Sequence, residues 1–276
     1  MASPSSSTPS ELLIDALATF GGGPPPSDFA DALLSTLRSD GGTAGQSLAE
    51  RLLATAGSDA DRRASLVDFI GHAALVLAPN DTPPAEGAPA SAWSALVSVA
   101  NSLNGSGAYA LGRPRFIDDV RCRLLLDEAR RQLTSTAGLG ATRAVGRAGD
   151  ALAALAVSRR LREAISNALG FAVTPTYDAL YEYDPPASHV RTHLDSRDYE
   201  IVFHLLLEHT TSLSGDGLSV LIAHLPNESA PTRIGLRAGE ALVLRGRGTI
   251  HSWQPLSDDE RRILIAIGFR RETAER

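Results

Sequence analysis

A chain of 276 residues with 43% hydrophobic and 21% charged residues is long enough for one or two globular units, each with a buried core. Its 26 basic and 32 acidic residues give a formal net charge of -6 without a basic run, which disfavours a nucleic-acid partner. A single cysteine, Cys122, excludes an intrachain disulfide and any metal site built from thiolate pairs.

The N-terminus and the apolar stretches carry no targeting or membrane signal. Residues 1–10 are rich in Ser and Pro and lack the basic start and apolar core of a signal peptide, so we expect a disordered tail. No apolar run reaches the length needed to cross a bilayer. We therefore expect a cytoplasmic protein with no membrane partner.

Residues 11–165 are predicted to form a helical region. The segments between its Gly- and Pro-rich breaks are rich in Ala, Leu and Arg, which favour helix. Asp59 and Ser91 have the residue types and positions of helix N-caps. The predicted helices lie near 11–19, 27–38, 46–56, 59–78, 91–103, 116–136 and 148–169.

After residue 170, short segments rich in Val, Ile, Leu, Phe and Tyr alternate with turns of Gly, Pro, Asn and Asp, which is typical of strands. Such a series of short strands favours a small barrel or jelly roll, with helices packed against one sheet. We therefore expect an α+β fold whose β core spans residues 166–276. The predicted strands lie near 171–183, 189–195, 200–208, 218–224, 232–236, 241–245, 249–254 and 262–269.

His193 and Asp195 lie two positions apart on one predicted strand, so their side chains should share a face, with Leu194 on the other. A third ligand from another strand, His251, would complete a two-histidine, one-carboxylate facial triad, which suits Fe²⁺ and leaves coordination positions open. Each residue alone is more often an ordinary surface or structural residue. Their order, spacing and strand context together favour a metal site.

The same residues carry a resemblance to the Fe(II)/2-oxoglutarate-dependent dioxygenases, whose core is a double-stranded β-helix. The two histidines are 58 positions apart (251 − 193), a separation usual in that family. Arg261 follows His251 by ten positions (261 − 251), where family members carry a basic residue. Tyr183 precedes His193 by ten positions (193 − 183). The resemblance covers about 40% of the chain, and we place the helical half in no subfamily.

The resemblance implies an enzyme that binds Fe²⁺ through His193, Asp195 and His251 and uses 2-oxoglutarate and O₂ as cosubstrates, with ascorbate in support. It implies decarboxylation of 2-oxoglutarate to succinate and CO₂, coupled to oxidation of a substrate C–H bond. Family members that halogenate generally lack the carboxylate ligand. Asp195 therefore favours hydroxylation, or a related desaturation, ring closure or epoxidation.

Three further residues are assigned to the cosubstrate. We expect Arg261 to pair with the distal carboxylate of 2-oxoglutarate, because a planar guanidinium binds a carboxylate bidentately. Alternation on the last strand lets only one of Arg261 and Arg262 point inward, and the spacing favours Arg261. Tyr183 is a candidate hydrogen-bond donor to the cosubstrate, with a barrel-lining aromatic as the alternative. His204, a polar residue in an apolar strand, is a candidate lining residue of the same pocket.

The expected substrate is a small molecule, an amino acid or a peptide. A composition rich in Ala and Arg suggests a GC-rich genome, in which such enzymes often take part in natural product biosynthesis. The helical half would build or cover the substrate pocket or form a homodimer contact. Two alternatives stay open: a demethylase on the same core, and a non-catalytic metal-binding β-helix whose helical half is an interaction module.

Overall fold

The computed structural model describes residues 44–78, 80–134, 144–211, 217–228 and 230–272. The predicted tail 1–10 and the predicted helices near 11–19 and 27–38 lie outside these residues. The helices are α1 (Ala44–Ala56), α2 (Ala60–Leu77), α3 (Gly87–Asn104), α4 (Asp119–Thr134), α5 (Asp150–Ala156) and α6 (Arg159–Leu169). The strands are β1 (Ala108–Gly112), β2 (Ala144–Arg147), β3 (Val173–Asp184), β4 (Ile201–Thr210), β5 (Ser219–His224), β6 (Thr232–Leu236), β7 (Ala241–Leu244), β8 (Ile250–Trp253) and β9 (Arg261–Arg271), with a 3₁₀ turn at Arg197–Tyr199.

The strands form two antiparallel sheets. The larger has the order β1-β7-β4-β9-β3-β2, and the smaller has the order β6-β5-β8. Side chains from both sheets meet in one apolar interior, to which Leu206 and Leu264 contribute from the larger sheet and Leu221 and Trp253 from the smaller. This is the expected double-stranded β-helix, and the predicted α+β class is confirmed.

The helices cover the β core on two sides. α4, α5 and α6 pack on the outer face of the larger sheet, where Leu125 and Leu161 join a cluster with Ile265 and Phe269 of β9. α1, α2 and α3 form a second cluster that includes Ile250 at the start of β8. Both faces of β9 are therefore buried. In the part of the chain that the structure describes, no helix combines the length and the apolar character that crossing a membrane requires.

The structure corrects several predicted elements. β1 and β2 lie in the region that was predicted to be helical, and they join the larger sheet beside β7 and β3. The single helix predicted near 148–169 is two helices, because the Ser158 hydroxyl accepts a hydrogen bond from Leu161 N at 3.3 Å and starts α6 afresh. Asp59 is the N-cap of α2, as predicted, and accepts from Arg62 N at 2.8 Å.

One correction concerns residues 189–195, which carry His193 and Asp195 and are called the metal segment below. The strand predicted there is wrong, since the segment forms only an isolated bridge between His193 and His251, besides single bonds from Trp253 N to Val190 O at 3.2 Å and from the Asp195 amide to Gly246 O. Ser91, predicted as an N-cap, instead lies inside α3, and its hydroxyl donates to Gly87 O at 3.4 Å.

Candidate metal centre

Three predicted ligands come together at one end of the β core. The ligand atoms of His193, Asp195 and His251 all lie within 4.8 Å of one another. Asp195 Oδ1 is 3.4 Å from His193 Nε2 and 3.8 Å from His251 Nε2. The two imidazole centroids are 4.3 Å apart. The three donors thus surround one point, as ligands of a single ion must.

Hydrogen bonds fix the tautomer of both histidines. His193 Nδ1 lies 2.7 Å from Arg191 O, and His251 Nδ1 lies 2.9 Å from Thr249 O. A carbonyl oxygen only accepts, so each Nδ1 carries the proton and donates. Each Nε2 then presents its lone pair towards Asp195, which is the arrangement that metal-binding imidazoles adopt.

Burial and charge hold the ligands in their metal-binding protonation states. Burial lowers the pKa of His251 to about 3, against the opposing charge of Asp195, so its imidazole is neutral at neutral pH. Burial raises the pKa of Asp195, but His251 and His193 outweigh that effect and bring it down to about 2. Neutral imidazole and ionised carboxylate are the forms that bind a metal ion. The donor set therefore fits Fe²⁺ or a similar divalent cation.

The neighbouring backbone is built around Asp195. Its amide donates to Gly246 O at 3.1 Å. Gly246 packs so closely that a Cβ at this position would lie 2.0 Å from Asp195 Oδ2. On the other side, Thr192 N donates to Asp81 Oδ1 at 2.5 Å, which ties the metal segment to the loop after α2. The helical half therefore supports the position of the ligands.

The structure reverses the predicted choice between the two arginines of β9. Arg261 is exposed, and its Nε lies 3.4 Å from Glu208 Oε1. Arg262 is 1% exposed and points into the β core, with its guanidinium 4.7 Å from the centroid of the Trp253 ring. Because Trp253 follows His251 by two positions on β8, the two side chains share a face. Arg262, and not Arg261, thus lies on the metal side of the strand.

Arg262 has partners that the sequence reading missed. Its Nε and Nη2 donate to Asp184 Oδ2 at 2.8 and 2.6 Å, and its Nη1 donates to Ser219 Oγ at 2.9 Å. Asp184 closes β3, one position after Tyr183. In the sequence, Asp184 directly before Pro185 and Pro186 is typical of a turn, and nothing local indicates a buried partner for an arginine.

Tyr183 and His204 fall on opposite faces of the larger sheet. Tyr183 packs against the cluster between this sheet and the helices, so it faces away from the interior that contains Trp253, a position that does not support its predicted contact with the cosubstrate. His204 faces inward with 5% exposure, and its ring meets Trp253 edge-on at 5.5 Å. Its charge acts on the pKa of both Asp195 and His251, which places it within electrostatic range of the ligands.

No protein-family model matches the chain, and no curated protein matches it. Among solved structures, it is similar to the non-heme alpha-ketoglutarate-dependent epimerase SnoN from nogalamycin biosynthesis, with 16% identity and a TM-score of 0.47 over 65% of this chain and 83% of that one. It is also similar to a Pseudomonas putida prolyl-4-hydroxylase, with 20% identity and a TM-score of 0.44 over 64% and 99%.

A third similar structure is HygX from Streptomyces hygroscopicus with nickel, 2-oxoglutarate and hygromycin B bound, at 14% identity and a TM-score of 0.44 over 59% of this chain and 82% of that one. Conclusions about the reaction depend on the residues of the site.

Proposed function

We propose that the chain is an Fe(II)- and 2-oxoglutarate-dependent dioxygenase that oxidises an unactivated C–H bond of a small molecule, an amino acid or a peptide. The supporting observation is the cluster of His193, Asp195 and His251, with both Nδ1 atoms held by carbonyl groups. Two imidazoles and one carboxylate leave room for a bidentate 2-oxo acid and O₂. When bound, the iron supplies the oxidation, in which 2-oxoglutarate is decarboxylated to succinate and CO₂.

Arg262 takes the role first expected of Arg261, the binding of the distal carboxylate of 2-oxoglutarate. A guanidinium has five N–H groups, and Asp184 and Ser219 accept three hydrogen bonds from it. The remaining two N–H groups have no acceptor among the described residues, so they are available to a ligand carboxylate. Stacking on Trp253 and the bonds to Asp184 hold the guanidinium plane fixed, which lowers the entropy lost on binding.

The residues around the centre favour oxygen transfer and exclude water. Asp195 fills the position that halogenating relatives leave without a carboxylate, so hydroxylation, desaturation or ring closure is favoured over halogenation. Apolar residues from both sheets, Leu206 and Leu264 among them, form the interior behind the ligands. A dry interior strengthens each electrostatic contact with the cosubstrate.

Succinate formation tests this proposal. The purified protein is supplied with Fe²⁺, ascorbate and 2-oxoglutarate, and its melting temperature is followed alongside succinate. We expect metal and 2-oxoglutarate together to raise the melting temperature and succinate to form slowly even without substrate. His193→Ala should abolish both effects, because it removes one of three ligands. His72→Ala, a substitution of a half-buried histidine on α2, is the matched control and should leave both intact.

Two results would contradict the proposal. If neither metal nor 2-oxoglutarate raises the melting temperature, the site does not bind them. If the metal binds through His193 but no succinate forms under any condition, the protein binds metal without acting as a dioxygenase.

A further inference from the structure

A cavity of about 300 Å³ lies beside the metal segment, between the start of α2, the end of α3, the 3₁₀ turn and the turn after β7. Three guanidinium groups line it, from Arg63, Arg197 and Arg247, together with one carboxylate, from Glu200. The remaining lining is largely apolar. A volume of this size accommodates a small ligand or one end of a larger one.

Arg247 is the buried member of this set. It is 5% exposed, and its Nη1 has no hydrogen-bond partner among the described residues. Its Nη2 reaches Ala64 O at 3.4 Å and lies 3.6 Å from Asp68 Oδ1. Burial lowers the pKa of the Arg247 guanidinium, with the charge of Arg197 acting in the same direction and those of Asp68 and Glu200 opposing it. A buried donor without an acceptor is unfavourable unless a ligand or water completes it.

Arg63 and Arg197 add two positive charges that no carboxylate of the described residues pairs with. Arg63 Nε donates to Gly57 O at 2.9 Å, and Arg197 is exposed at the start of the 3₁₀ turn. Neither forms an ion pair with a carboxylate of the described residues. Three guanidinium groups and the Glu200 carboxylate line the cavity, and Asp68 lies beside Arg247, so the three positive charges exceed the two negative ones.

Two of the residues that line the cavity lie close to Asp195 along the chain or through a hydrogen bond. Arg197 follows Asp195 by two positions, a separation of at most about 7 Å between Cα atoms. Arg247 follows Gly246, whose carbonyl accepts from the Asp195 amide at 3.1 Å. An anion held here would therefore lie within the length of a small molecule from the metal centre.

We propose that this cavity binds an oxyanion of the substrate, a carboxylate or a phosphate group, and so selects anionic substrates. The inference rests on the proposed dioxygenase function for its role in catalysis. Guanidinium groups bind both anions bidentately. Because the three arginines would each donate charge-assisted hydrogen bonds to an anion, a neutral compound would bind here more weakly. The site lies apart from Arg262, so substrate and 2-oxoglutarate need not compete for one arginine.

Anion titrations of the full-length protein test the proposal. The probes are inorganic phosphate and propionate, added by calorimetry to Ni²⁺-loaded protein at constant ionic strength, with Ni²⁺ as a stand-in for Fe²⁺ that does not turn over. At least one probe should bind, and the tighter one identifies the anion. Arg197→Gln and Arg63→Gln should each weaken that binding about tenfold. Arg160→Gln on α6 removes one positive charge far from the cavity in the sequence and should leave the affinity for the anion unchanged.

The other arms separate this inference from the proposed function. His193→Ala should keep the anion site, because the anion does not bind through the metal, whereas Ni²⁺ and 2-oxoglutarate binding should be lost. Absence of binding by both probes would overturn the inference, as would equal binding by Arg197→Gln, Arg63→Gln and Arg160→Gln, or loss of binding in His193→Ala. In each of these cases, retained binding of Ni²⁺ and 2-oxoglutarate by the parent protein would leave the dioxygenase proposal standing.

Discussion

Arg262 and Asp184 form an ion pair in which both side chains are 1% exposed. Two guanidinium nitrogens donate to the same carboxylate oxygen, and the third donates to Ser219. Such a pair loses most of its hydration, so its members stabilise the protein only together. The pair therefore keeps one guanidinium inside the β core, in a fixed orientation, before any cosubstrate arrives.

Replacing Arg262 should weaken the binding of 2-oxoglutarate. Arg262→Gln removes a charge-assisted contact, for which we expect a loss of affinity of roughly ten- to a hundredfold. The measurement is a titration of the Ni²⁺-loaded protein with 2-oxoglutarate. Arg261→Gln, the exposed neighbour, should change the affinity by less than about twofold.

Because Arg262→Gln also leaves Asp184 buried without its partner, stability needs a separate control. The double variant Asp184→Asn/Arg262→Gln removes both charges and should recover much of the lost stability without recovering affinity. The assignment is wrong if Arg261→Gln is the variant that loses affinity.

Gly246→Ala should weaken metal binding. The added Cβ would lie 2.0 Å from Asp195 Oδ2, and so the carboxylate must move away from the two histidines. Gly235→Ala is the control, since its Cβ would meet only Leu218 side-chain atoms at 3.5 Å, an ordinary contact. We expect a loss of Ni²⁺ affinity of at least about tenfold for the first variant and none for the second, measured by calorimetry. Equal affinities would show that Asp195 is not a ligand.

Glu128 should contribute strongly to folding stability. It is 6% exposed and accepts from Gly149 N, Ala151 N and Leu152 N at the start of α5, and from the Tyr181 hydroxyl at 2.6 Å. Burial opposes ionisation, but the Tyr181 hydroxyl and these amides keep the pKa of Glu128 below its usual value. Glu128→Ala leaves four donors without an acceptor, so we expect a loss of at least about 3 kcal/mol in the free energy of unfolding.

Urea denaturation compares that variant with Glu163→Ala. The Glu163 carboxylate is exposed and pairs with Arg159 four positions earlier on α6, a contact whose loss should change stability by less than about 0.5 kcal/mol. Similar losses in the two variants would mean that the Glu128 contacts add little.

Mild acid should destabilise the protein through His224. This residue is 5% exposed, its ring meets Trp93 edge-on at 4.9 Å, and burial lowers its pKa to about 4, against the opposing charge of Asp81. An unfolded histidine titrates near pH 6.5, so the unfolded state takes up the proton first as the pH falls. The stability contributed by neutral His224 is therefore complete above about pH 6.5 and is lost as the pH falls towards 4.

Between pH 7 and 4.5 we expect this residue to account for a loss of about 2–3 kcal/mol in the free energy of unfolding. His224→Gln should lose less stability than the parent over this interval, by about that amount. His72→Gln, on α2, should follow the parent, and the comparison of variants cancels contributions from the metal ligands. A parent-like loss in His224→Gln would contradict the assignment.

The sequence predicted the three residues that the fold brings together, but not which arginine of β9 points into the β core. His193 and Asp195 are local neighbours, and the position of His251 follows from spacing, so no knowledge of packing was needed. Choosing between Arg261 and Arg262 did need it. β9 is apolar on both faces, because Ile265 packs against helices and Leu264 against the β interior, and its pattern gives no sign of which face is inward.

Long-range pairing also escaped the sequence. β1 is a five-residue strand whose partner β7 lies more than a hundred positions away, and its segment shows no alternation of apolar and polar residues. The arginine cavity is likewise assembled from α2, the 3₁₀ turn and the turn after β7, each of which reads as an ordinary charged surface by itself. Only the fold brings these segments together.

The small number of bonds between the metal segment and β8 has a thermodynamic consequence. The segment carries two of the three ligands, and its backbone meets β8 and the turn after β7 through the His193–His251 bridge, the bond from Trp253 N to Val190 O and the Asp195 amide bond to Gly246 O. A bound ion would stabilise the segment against local unfolding, because opening the segment would also require the ion to be released from two of its ligands. Amide hydrogens of residues 193 and 195 should exchange more slowly when Ni²⁺ is present, whereas those in the centre of β4 should not respond. The ion would then order the segment that supplies two of its own ligands.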